Sequence, residues 1–140
     1  MALNAALIQA RFEDIRESLE RLEAIRQQSR KAFLENADLR DLASYRLLVA
    51  IEAAIQICYH VSAQVLHQAP SEYAECFALL SEGGIIPEEL GKRLQRMARF
   101  RNVLVHRYWD VDYGRVYDVL QHDLDDIREF MGFVGVLIAE

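Results

Sequence analysis

Proline and glycine are scarce in this chain, two and six among 140 residues. That shortage argues against a turn-rich β-sandwich and for long, uninterrupted helices. No apolar run reaches the roughly 18–20 residues that a membrane span requires, so no membrane segment is expected. The first 25 residues contain Arg11, Glu13, Asp14, Arg16 and Glu17, which excludes the apolar core of a signal peptide, and a cytoplasmic location is expected. Cysteine is nearly absent. Cys58 and Cys76 each sit in an apolar stretch without CxxC or Cys/His spacing, so free buried thiols are expected rather than a metal site, and no cofactor or metal is called for. The net charge of −6 argues against a general nucleic-acid binder, and DNA is not an expected partner.

The distribution of charge reverses that expectation locally. Between Leu90 and Tyr108 stand Lys92, Arg93, Arg96, Arg99, Arg101 and Arg107 with no acid, so the rest of the chain carries −12. A basic strip on an acidic protein can hold phosphates while the remainder repels RNA at large. The length fits a single domain spanning 1–140.

Periodicity predicts an all-α bundle of about five helices. The first runs from about Leu3 to Gln28, with Leu3, Leu7, Ala10, Ile15, Leu19, Leu22 and Ile25 or Arg26 at helical spacing and Glu17 paired with Arg21. Arg30 to Asn36 is a connection or a short helix. The second helix starts near Asp38 or Asp41 and reaches about His67. It is almost wholly apolar except for a stripe of Glu52, Gln56, His60 and Gln64. Ser71 is a candidate N-cap for a third helix, from Glu72 to about Leu80. The Gly83-Gly84-Ile85-Ile86-Pro87 turn leads into the fourth, which ends near Arg107 or Tyr108. Asp110 to Asp112 breaks that helix, and a fifth runs from about Asp112 or Tyr113 to Ile138, carrying Val116, Val119, Leu120, Leu124, Ile127, Phe130, Met131 and Val134.

The chemistry concentrates at the end of the fourth helix, in Arg101-Asn102-Val103-Leu104-Val105-His106-Arg107-Tyr108. If the helix stays regular, Arg101, Val105 and Tyr108 share one stripe, and Asn102 and His106 share the next. Histidine exchanges a proton near neutral pH. The guanidinium fork suits a phosphate. Asparagine can orient either group, and tyrosine offers a hydroxyl and a stacking face. RNA brings its own nucleophile, the 2′-hydroxyl, so an RNase needs only a base, an acid and a stabiliser of charge. A two-fold dimer placing two such surfaces face to face would supply one histidine as base and another as acid. His60, His67 and His122 read as structural or exposed, and the acids around His122 (Asp123, Asp125 and Asp126) read as a solvated face.

The chain resembles the HEPN superfamily, and more narrowly the HepT-like toxins, through this R-x4-H-x-Y motif and the order of elements around it. The resemblance implies an all-helical homodimer whose paired motifs meet at the dimer interface and cleave RNA without metal. It implies Arg101 and His106 as the catalytic pair and Asn102 as a supporting residue. From the basic strip, Arg99 and Arg107 are expected as weaker phosphate contacts. It also implies a partner, an MNT-type nucleotidyltransferase antitoxin, that neutralises the toxin by transferring AMP to Tyr108. No part of the cleft is assigned to the second helix. The alternative is a non-catalytic HEPN substrate-binding subunit of a minimal nucleotidyltransferase. A third possibility, a plain structural bundle, would be favoured by an Arg101 fully paired with an acid in the core.

Overall fold

The computed structural model describes residues 3–139. Among them are seven α-helices and no strand: α1 Ala5–Arg26, α2 Arg30–Glu35, α3 Ala37–Val61, α4 Tyr73–Glu82, α5 Glu88–His106, α6 Tyr113–His122 and α7 Leu124–Ala139. A π-helical turn, Ser62–Leu66, extends α3, and a 3₁₀ turn, Tyr108–Asp110, follows α5.

Short polar residues start the helices. The side-chain oxygens of Asn4, Ser29, Asn36 and Asp112 accept backbone N–H groups three residues ahead, at 3.0 to 3.2 Å. Each satisfies a donor that the first helical turn leaves unpaired. Ser71 plays a different part from the expected cap. α4 starts at Tyr73, and the Ser71 amide and hydroxyl both donate to the Glu75 carboxylate. Those bonds hold the Glu75 carboxyl below its ordinary range. Arg30 to Asn36 resolves into α2, and its Phe33 is fully buried.

α1 packs most extensively on α3, and α4 on α5. The buried face of α1 is Ile8, Phe12, Ile15, Ser18, Leu19, Leu22 and Ile25. Its C-terminal half follows the expected stripe, but Ile8 and Phe12 replace Leu7 and Ala10 in the core, because exact helical phase rotates the first two turns away from those positions. α3 is the central element, burying Leu47, Ala50, Ile51, Ala54, Ile57, Cys58 and Val61. The stretch Ala37–Leu66 is, by length and composition, apolar enough to cross a membrane, and half of its most apolar window is buried inside the bundle. Large aliphatic side chains so buried contribute about 1.5–3 kcal/mol each. Cys58 and Cys76 are buried free thiols, as expected, and burial together with the neighbouring Cys76 pushes the Cys58 thiol well up, which makes it a poor nucleophile.

The predicted fifth helix is two. The Asp123 amide closes α6 on the Val119 carbonyl, and its own carbonyl accepts the Asp126 amide. The apolar spacing continues across this break, so periodicity alone hides it: Val116, Leu120, Leu124, Ile127, Phe130 and Val134 are all buried.

The α4–α5 turn sets the direction of the helix that carries the motif. Gly84 adopts φ +76°, a left-handed conformation natural to glycine. Gly91 lets α5 lie against α4, since a Cβ there would stand 2.8 Å from Ser81 Cβ. Gly91→Val is therefore expected to lower stability by about 1–3 kcal/mol through overpacking, despite valine's better helix propensity. Urea denaturation checks this; an unchanged midpoint would show that α4 and α5 separate freely at this point.

Candidate active site

α5 delivers the motif to its own C-terminal end. Leu90, Leu94, Met97, Ala98, Phe100 and Leu104 face the core, which turns Asn102 and His106 outward. His106 is the last residue of α5 and is exposed. Arg107 leaves helical geometry at φ −132° and ψ 38°, so Tyr108 sits in the following 3₁₀ turn. The regular stripe of Arg101, Val105 and Tyr108 expected from sequence therefore does not form. Tyr108 is 72% exposed, its ring packed edge-on against Trp109, itself 71% exposed, with centroids 5.3 Å apart.

Arg101 turns toward α3 and α4. Its Nε donates to the Glu52 carboxylate, and its Nη1 donates to Asn102 Oδ1 at 3.1 Å. Its Cζ lies 4.7 Å from the centroid of the Tyr73 ring, a cation–π arrangement. Tyr73 in turn meets Tyr59 edge-to-face at 5.8 Å. The guanidinium is thus fixed on three sides, which suits a group that must meet a phosphate in one orientation.

Glu52, on the helix to which the sequence assigns no part of the cleft, holds Arg101. The stripe Glu52, Gln56 and His60 is held largely by other elements: Glu52 by Arg101, Gln56 Oε1 by Arg11 Nη1 at 3.1 Å, and His60 Nε2 by the Asn4 amide at 2.9 Å. The Arg101–Glu52 pair is not a core pair. Arg101 retains 14% and Glu52 31% side-chain exposure, so the pair lies at the surface of the bundle.

Of the four motif residues singled out from sequence, Arg101 and Asn102 touch, while His106 and Tyr108 stand exposed beyond them. Arg99 is exposed and Arg107 pairs with Asp110 at 3.1 Å. No group of three or more His, Cys, Asp or Glu able to hold a metal occurs among the described residues.

An all-α bundle with an Arg/His/Tyr motif at the end of its fifth helix defines a protein of the HEPN class. Residues 15–134 match the Ribonuclease HepT-like family, and the chain belongs to that family. It is 29% identical over 102 residues to the mRNA nuclease HepT of Shewanella oneidensis, covering 73% of this chain and 77% of that protein. It is 26% identical over 142 residues to the tRNA nuclease HepT of Aphanizomenon flos-aquae, covering 99% and 97%. The solved structure of a tri-AMPylated Shewanella oneidensis HEPN toxin in complex with an MNT antitoxin superposes with a TM-score of 0.86 at 26% identity, over 95% of this chain and 98% of that one.

Proposed function

We propose that this protein is the toxin of a HEPN/MNT pair, a metal-independent endoribonuclease whose active cleft forms where two copies bring their Arg101/His106 motifs together. The observation that carries the reading is the motif itself: an exposed His106 five residues beyond an Arg101 held by Glu52 and Asn102, in a chain of the Ribonuclease HepT-like family.

In this reading one His106 removes the proton from a 2′-hydroxyl. The 2′-oxygen bonds to phosphorus, the bond to the 5′-oxygen breaks, and the partner copy's His106 protonates the leaving oxygen. Arg101, oriented by Glu52 and Asn102, offers its remaining donors to the phosphate oxygens as negative charge builds on them. Arg99 and Arg107 contribute weaker phosphate contacts. The test is incubation of total RNA with the purified protein in excess EDTA. Fragmentation supports the reading. Intact RNA from a protein that carries no adduct on Tyr108 would shift it to a non-catalytic subunit of a nucleotidyltransferase.

The antitoxin is proposed as an MNT-type nucleotidyltransferase that transfers AMP from ATP to the Tyr108 hydroxyl, with pyrophosphate leaving. The exposure of Tyr108 supports it as acceptor, because an enzyme must approach its oxygen in line with the breaking bond. The added phosphate would lie beside the motif and repel the RNA backbone. Tyr108→Phe is expected to stay unmodified and active after incubation with the partner and ATP, as read by intact mass and RNA cleavage. Full modification and silencing of that variant would place the acceptor elsewhere.

A further inference from the structure

Leading away from His106, α5 carries a line of basic residues, two of which, Arg96 and Arg99, make no ion pair among the described residues. Lys92, Arg96, Arg99 and His106 recur at helical spacing and share one exposed face. Along the strip, Lys92 pairs with Glu88, Arg93 with Asp126 and Glu129, Arg101 with Glu52, and Arg107 with Asp110. Arg96 and Arg99, with Arg115 of neighbouring α6, have no acid within ion-pair distance among the described residues. In a chain with 22 acids, three unpaired arginines on one side of the fold are a concentrated positive surface.

Between α5 and α6–α7 lies a cleft of about 240 Å³, lined among others by Arg96, Met97, Phe100, Arg115, His122 and Asp123. Met97, Phe100 and Val119 give it apolar surface, while Asp118, Asp123 and the buried Asp126, which pairs with Arg93, also line it. The Arg115 guanidinium lies over the Phe100 ring at 4.7 Å, presenting a flat, exposed cationic surface at the mouth. The partly buried Asp123 carboxyl is pushed up by desolvation, against the pull of His122, Arg96, Arg115 and Arg93.

We propose that this face is the track for the single-stranded RNA beyond the scissile phosphate, with Arg96, Arg99 and Arg115 on its phosphates and the α5–α6 cleft receiving a base. The proposal rests on the ribonuclease reading and extends it past the motif. Arg96 stands ten residues from His106, roughly 15 Å along the helix axis, a distance that spans a few nucleotides. RNA fits better than an acidic protein segment for two reasons. Arg96 and Arg99 continue from His106 on the same helical face, and the cleft sets the Phe100 ring beneath the planar Arg115 guanidinium, a surface that accepts a base regardless of its sequence. Asp123 and His122 give the edge of that base hydrogen-bonding groups.

The experiment compares the full-length protein with an Arg96→Gln/Arg115→Gln variant in excess EDTA. Substrates are a dinucleotide covering only the scissile phosphate and a longer single-stranded oligoribonucleotide. Binding of the 2′-O-methyl form of the longer strand, which lacks the nucleophile, is measured in parallel by fluorescence anisotropy across salt concentrations. The variant is expected to bind the 2′-O-methyl strand about tenfold more weakly, with a log–log salt slope shallower by about 1.4, from two lost phosphate contacts. The advantage of the longer RNA over the dinucleotide in kcat/KM should shrink by a similar factor. Unchanged affinity and slope in the variant would overturn the track. So would polyglutamate binding the wild type as tightly as the RNA strand at equal salt and losing affinity in step with it, which would mark a protein-docking face. Should the wild type cut neither substrate yet bind the 2′-O-methyl strand with the full slope, the ribonuclease reading falls and the track stands.

Discussion

His106→Ala is expected to cut RNA about 10²–10⁴-fold more slowly than the wild type, the range general acid–base catalysis supplies. Both proton transfers pass through this residue if each copy in a dimer contributes one, so the loss should fall toward the upper end. The substitution is clean because His106 ends α5, is exposed, and its side chain makes no hydrogen bond among the described residues. Its stability cost should stay within about 0.5 kcal/mol. A thermal midpoint close to wild type, with cleavage in EDTA abolished, identifies the imidazole as part of the chemistry. Cleavage at the wild-type rate by a nuclease-free preparation would remove His106 from the mechanism. Mixing Arg101→Ala with His106→Ala chains tests the shared cleft: a mixed dimer keeps one arginine and one histidine, and partial recovery of cleavage requires that they work across the interface.

How far the fold was legible follows from which signals are local. The apolar character of α3 beside its polar stripe and the apolar spacing of the α6–α7 stretch emerge as expected. What escapes periodicity is the backbone decision at a single residue. Asp123 divides one apolar stripe into two helices without interrupting its spacing, and Arg107 leaves α5 one residue before Tyr108. That second departure matters for the site, because a helical wheel drawn through Tyr108 puts it beside Arg101, whereas the chain has already turned. Ser71 illustrates a third limit: its residue type fits a cap, but Glu75 four residues on competes for its amide and hydroxyl.

The candidate site was proposed from sequence as a set of residues and not as a set of contacts. Arg101, Asn102, His106 and Tyr108 lie close together in sequence, so their motif announces itself. Glu52 lies 49 residues from Arg101, and no local pattern couples the two. The same holds for Tyr73, which arrives from α4 to sit under the guanidinium. Tertiary packing of α3, α4 and α5 creates that neighbourhood. It explains how Arg101 is held by an acid and an aromatic ring at once.

Glu52→Ala should separate the structural from the positioning role of this pair. Arg101 is 14% exposed and Glu52 31%, so removing the carboxylate strands a largely covered guanidinium. Breaking a fully buried pair costs about 3–5 kcal/mol, and solvent screening at this partly open position reduces the expected loss to about 1–2 kcal/mol. Freed from Glu52, Arg101 keeps the Tyr73 ring and the Asn102 oxygen but loses the contact that fixes its long axis. Misplacing a charge stabiliser by about 1 Å can cost on the order of 10²-fold in rate, so cleavage should fall by about 10- to 100-fold, mainly in kcat. The double variant Arg101→Ala/Glu52→Ala supplies the control. With both charges gone, stability should recover toward wild type, because no uncompensated ion remains. Cleavage should not recover, and should stay at or below the level of Arg101→Ala alone. Recovery of both would mean that the pair only holds α3 to α5. A Glu52→Ala protein that lost stability yet cleaved at the wild-type rate would show that Arg101 orients itself on Tyr73 and Asn102 without the acid.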